Sequence, residues 1–149
     1  MSTYKGSCLC QAVQYEITVP EGGQQSYTVC HCKDCQKWSG SAFTTNFVLP
    51  TSGMKLTKGT EGAEIKAYTV TKTTSGNALG RYFCGTCGSA LYDKTAANDG
   101  IVILQTGTLD DAFDAVVHPT QEIFCLDRRA WLKPTDGLKQ VEKMFDTGS

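Results

Sequence analysis

Residues 29–40 read VCHCKDCQKWSG, and Cys30, Cys32 and Cys35 fall within six positions of one another. No further cysteine or histidine follows at the spacing a fourth tetrahedral ligand would need. Three readings are open at this point. The stretch is part of a disulfide framework, an incomplete zinc finger, or a metal site with one position left free.

The other cysteines narrow the choice. The 149-residue chain has eight: Cys8 and Cys10 as C-x-C, the C-x-C-x-x-C above, Cys84 and Cys87 as C-x-x-C, and Cys125 alone. Close pairs close long loops poorly but chelate one ion well. The first ten residues, MSTYKGSCLC, show no apolar signal core, so the expectation is a reduced, cytoplasmic protein whose cysteines bind metal. Hydrophobic residues make up 40% and charged residues 19%, as in ordinary globular chains, and 149 residues suffice for one domain with a core, residues 1–149. The net charge of −1 speaks against a dedicated nucleic-acid binder, and no apolar run reaches membrane-span length.

The patterning is that of strands. In AVQYEITV, Val13, Tyr15, Ile17 and Val19 alternate with Gln14, Glu16 and Thr18, as in a half-buried strand. PEGGQQ is a turn, and SYTVC is a short strand that delivers Cys30. AFTTNFVL, MKLTK, AEIKAYTVTK, RYFC, ALYD, GIVILQTG and QEIFC read as further strands, with TTSGNALG turning back between two of them. KDCQKWSG has room for little more than a helical turn before Gly40. Only the tail TDGLKQVEKMF has helical spacing, through Leu138, Val141 and Phe145. The expectation is an all-β protein of several small antiparallel sheets with a short C-terminal helix.

CGTCG, residues 84–88, has the form of a zinc knuckle, with a glycine after each cysteine to let backbone N–H groups turn towards sulfur. A knuckle supplies two ligands. Cys8 and Cys10 are the natural second pair, since residues i and i+2 of a strand point the same way. Four thiolates make a closed, structural site. The remaining group, Cys30, Cys32 and Cys35, is structural if Cys125 closes it. Otherwise it keeps the open position of a catalytic zinc. An ion already bound by three thiolates is electron-rich and suits an incoming thiol better than water.

GSCLCQAVQYEI, CHCKDCQKWSGSAF, FVLP and RYFCGTCGSALY occur in this order and together resemble the glutathione-dependent formaldehyde-activating enzyme family, which also includes the centromere-protein-V-like proteins. The resemblance implies a β-tent zinc fold. It implies a structural zinc on Cys8, Cys10, Cys84 and Cys87, and a catalytic zinc on Cys30, Cys32 and Cys35. It also implies a carbon–sulfur lyase activity: reversible addition of glutathione to formaldehyde, giving S-hydroxymethylglutathione. Many relatives carry Pro-x-x-His-Ile near the C-terminus, whereas this chain reads HPTQEIF, with Glu122 in place of the histidine. That departure leaves room for a different aldehyde or other electrophile.

Lys33, Lys37 and Arg81 are candidates for meeting the glutathione carboxylates. His31, between two ligands, should point away from the metal, and Trp38 and Phe43 are candidate pocket walls. Asp34, Glu122 and solvent are candidate proton acceptors. A homodimer is compatible with all of this. Two other classes stay open. A non-catalytic zinc-binding interaction module would use both ions for folding, and a methionine sulfoxide reductase-like enzyme would rely on Cys125 as its reactive thiol.

Overall fold

A computed structural model describes residues 1–22, 26–110 and 112–144. Along the chain run β1 (Ser2–Ser7), β2 (Gln14–Val19), β3 (Ser26–Cys30), α1 (Lys33–Ser39), β4 (Thr44–Pro50), β5 (Met54–Lys58), β6 (Ile65–Val70), β7 (Leu79–Cys84), β8 (Ala90–Thr95), β9 (Asn98–Gln105), β10 (Gln121–Ile123) and β11 (Lys139–Gln140). Strands β1, β2 and β5 form one sheet; the others form a second, in the order β11-β10-β3-β4-β9-β8-β7-β6. The mainly β reading holds. Pairing is antiparallel except at β10, which runs parallel to both β3 and β11. No helix among the described residues is long and apolar enough to cross a membrane.

Strand alternation divides the large sheet into two faces. One face packs with the small sheet. Tyr15 and Ile17 from β2 join Phe47 and Leu49 from β4, Leu91 from β8, and Val102 and Leu104 from β9 in a single buried cluster. Phe113 caps it, with edge-on rings at 5.2 Å from Tyr4 and 5.1 Å from Phe47. The other face carries a continuous row in register across five strands: Ser26, Val48, Ile103, Asp93 and Arg81. That second face positions the site.

The helix forms at Lys33–Ser39 and not in the tail. The Cys32 sulfur caps it by accepting from Cys35 N at 3.2 Å. Gly40, at φ +66, ends it in the left-handed region. In the tail, the expected helix gives way to a short strand. Gly137 takes φ +81 and breaks the helical run. Tertiary pairing then captures the segment: Lys139 N donates to Thr120 O at 3.1 Å and Val141 N to Glu122 O at 2.9 Å. Phe145 and part of the PEGGQQ turn lie outside the described residues.

Candidate metal centres and the adjoining cavity

Cys8, Cys10, Cys84 and Cys87 come together with their sulfur atoms all within 4.8 Å of one another, and all are free thiols. Cys8 and Cys10 do not lie within a strand. They follow β1 in a second knuckle, in which Gln11 N donates to Cys8 O at 3.0 Å and Val13 N to Cys8 Sγ at 3.3 Å. Each knuckle ends on a left-handed residue directly after its second cysteine, Gln11 at φ +62 and Gly88 at φ +76. Gly85 plays a different part from the expected one. Its N–H donates to Glu64 O at 2.7 Å, towards β6 and away from sulfur. Ser89 couples the two knuckles: its hydroxyl accepts from Leu9 N at 3.0 Å and lies 3.2 Å from Cys87 Sγ. That hydroxyl, against burial and helped by backbone hydrogen bonds at Ser89 and Cys10, holds the Cys87 thiol down to about 5. A tetrahedral ion with metal–sulfur bonds of about 2.3 Å separates its sulfurs by about 3.8 Å. Cys8–Cys10 is 3.7 Å and Cys10–Cys84 is 3.8 Å, so this donor set fits such an ion.

Cys30, Cys32 and Cys35 form the second cluster, again with sulfurs within 4.8 Å. It is built where β3 ends and α1 begins. Gln36 fixes α1 by donating to His31 O at 2.6 Å and Asp127 O at 3.0 Å. Cys125 does not belong to this cluster; its thiol lies 3.4 Å from Glu122 O and 3.2 Å from Arg128 Nη2. Three thiols with no fourth ligand side chain among the described residues suit an ion with one free position.

Two buried pairs surround the cluster. Arg81, expected to meet a ligand carboxylate, is 3% exposed and is already paired. It donates to Cys35 Sγ from 3.8 Å and to Asp93 Oδ2 from 3.3 Å, under the ring of Trp38 at 4.9 Å. Burial works against the Arg81 charge, but Asp93 and Cys35 outweigh it and raise its pKa. Burial raises the Asp93 pKa and the Arg81 charge beside it pulls it down. A guanidinium is permanently charged, so the close contact favours the ionised carboxylate. Hydrogen bonds from Cys30 and Cys32 outweigh burial at Cys35 and, with the Arg81 charge, hold it down to about 2.

The second pair is His31 with Glu122. His31 is buried and turned from the cluster, its Nε2 3.0 Å from Glu122 Oε1 and its ring 5.7 Å from Phe43. Glu122 also accepts from Thr135 N at 2.9 Å, Gln140 Nε2 at 2.7 Å and Arg128 Nη2 at 3.3 Å. Burial raises its pKa, but the Thr135, His31 and Gln140 bonds and the Arg128 charge prevail and hold it down to about 2. With both oxygens engaged, Glu122 clasps the tail to β10 and is not placed as a proton acceptor.

The three-cysteine cluster borders a cavity of about 1340 Å³ over the second face of the large sheet. Lys33, Asp34, Arg81 and Asp93 line it. Lys37, Trp38, Phe43 and Cys125 are not among its lining residues. The Arg81–Asp93 pair, Ser89 and Gln36 had no signal in the sequence, because cross-strand register brings each to its partner.

The comparisons agree with this architecture. Residues 3–127 match the model of the family described as "Glutathione-dependent formaldehyde-activating enzyme". A protein of Schizosaccharomyces pombe named as an uncharacterized lyase is 28% identical over 92 residues, 62% of this chain and 58% of that protein, so the chain spans less than two thirds of that relative. A crystal structure of a Rhodobacter sphaeroides protein superimposes with a TM-score of 0.56 at 20% identity, covering 77% of this chain and 97% of the other, and shares the fold.

Proposed function

This chain belongs to the glutathione-dependent formaldehyde-activating enzyme family, and from that premise we propose that it is a zinc-dependent carbon–sulfur lyase acting on adducts of glutathione with an aldehyde or related electrophile. The observation that carries the reading is the three-thiol cluster Cys30, Cys32 and Cys35, without a fourth side-chain ligand among the described residues, at the edge of a large cavity. The four-thiol cluster has the structural role of tying the segment after β1 to the β7–β8 turn.

In the cleavage direction the adduct hydroxyl gives up its proton and the carbonyl forms. The carbon–sulfur bond breaks, and its electron pair leaves with sulfur; synthesis is the reverse. A zinc ion held by Cys30, Cys32 and Cys35 would supply a soft Lewis-acidic position that favours the thiolate form of the departing or arriving sulfur. Arg81, 3.8 Å from Cys35 Sγ, offsets the negative charge that gathers there. Asp93 and Trp38 hold Arg81 in place. Lys33, exposed at the cavity margin, is placed to meet a glutathione carboxylate. Asp34, also exposed on that margin, is the carboxylate placed to pass a proton to solvent.

Exchange of label between free glutathione and its formaldehyde adduct, followed by NMR, tests the activity. The zinc-loaded protein should accelerate exchange, and Cys32→Ser should abolish the acceleration while remaining folded. Undiminished acceleration by Cys32→Ser would remove the reading.

A further inference from the structure

Resting on the glutathione-adduct reading above, we propose that the part of the substrate beyond glutathione is a bulky apolar group, seated on Val48, Ile101, Ile103 and Leu79, and not a one-carbon unit. The first argument is size. The cavity, about 1340 Å³, exceeds the roughly 300–1,000 Å³ of sites that hold a whole drug-sized ligand. A glutathione carrying one extra carbon and one oxygen leaves much of that space empty.

The second argument is the face on which these side chains stand. Phe47, Leu49, Val102 and Leu104 point into the core, so alternation sends Val48, Ile101 and Ile103 the other way. The face of an antiparallel sheet turned from the core is ordinarily polar. Here Ser26, Asp93 and Arg81 are polar, but Val48, Ile101, Ile103 and Leu79 are apolar, half-buried and line the cavity. These residues contribute nothing to the buried cluster between the sheets, and their chemistry fits an apolar ligand.

The third argument is continuity and polarity. Val48, Ile103, Asp93 and Arg81 are neighbours in one cross-strand row, and Arg81 reaches Cys35. The apolar seat therefore stands in the same row as the ion pair that borders the sulfur cluster. Between them Asp93 Oδ1 and Arg81 Nε are buried and unpartnered, on side chains only 2% and 3% exposed. Placement beside that ion pair favours a small-molecule adduct over a peptide lying across an open groove.

Calorimetry on the zinc-loaded protein tests this with S-methylglutathione and S-hexylglutathione, neither of which offers a free thiol. S-hexylglutathione should bind at least about tenfold more tightly, since each buried methylene favours it. Val48→Thr and Ile103→Thr keep a β-branched side chain in the strand. Each should cut the hexyl-to-methyl affinity ratio by about threefold or more, and reading a ratio cancels general weakening. Equal binding of the two S-alkyl ligands to the unmodified protein overturns the apolar seat. An undiminished ratio in both variants also overturns it, by placing the alkyl chain elsewhere. Free glutathione, titrated alongside, separates the two proposals: if it binds while hexyl has no advantage, only the substrate class fails; if it does not bind, both fail.

Discussion

The Arg81 guanidinium lies 3.8 Å from the Cys35 sulfur although the two residues are 46 positions apart. It joins a helix-borne thiol to a strand-borne ion pair on the floor of the cavity. Truncating it would leave Asp93 buried without its counter-charge. Arg81→Met should therefore destabilise the protein by about 3–5 kcal/mol, and adding Asp93→Asn should recover part of that loss. Denaturant titration of the two single variants and the double variant measures it; additive losses would mean the pair is not coupled.

The four-thiol cluster links residues 74 apart, at Cys10 and Cys84, and an ion bound there contributes directly to folding. Cys10→Ser and Cys84→Ser should each give insoluble or unfolded protein. A folded, zinc-free Cys84→Ser protein would remove the structural role.

The three-thiol cluster would hold an ion with fewer protein ligands and should release it first. Metal analysis after mild chelation should find about one zinc per chain, and Cys32→Ser should hold about one without chelation. Two tightly held zinc ions in Cys32→Ser would contradict the assignment.

Glu122 sets part of the acid limb of stability. Its folded pKa, about 2, lies below the ordinary carboxyl value of 4.5. The stabilisation is fully present above that unfolded value and is lost as pH falls from about 4.5 towards 2. Glu122→Gln should lower stability at neutral pH by about 2–4 kcal/mol and flatten the stability curve in that window. A variant with an unchanged acid limb would show that the clasp is not closed in solution.

Much of the site was legible in local spacing. The alternation of Tyr15, Ile17 and Val19 marks a buried strand face, and the cysteine spacings mark two clusters that the fold does bring together. What stayed hidden depends on register between distant strands. Arg81 reads as a candidate partner for a ligand carboxylate until β7 pairs with β8 and sets it against Asp93. Glu122 reads as a candidate proton acceptor until the tail folds over β10 and engages both its oxygens. The same tail carries Leu138 and Val141 at helical spacing, yet Gly137 and pairing with β10 make it a strand. Val48 and Ile103 read only as members of strand runs, and the core-facing direction of Phe47 and Leu104 shows that they face the cavity.

The central claim is that the three-cysteine site accepts a thiol. Calorimetric titration of the zinc-loaded protein with glutathione and with S-methylglutathione tests it most directly, because the two differ at the sulfur alone. Glutathione should bind at least about tenfold more tightly and release a proton on binding, with both effects absent in Cys32→Ser. Equal affinity for the two, without proton release, would contradict thiol capture at Cys30, Cys32 and Cys35 and the lyase mechanism built on it.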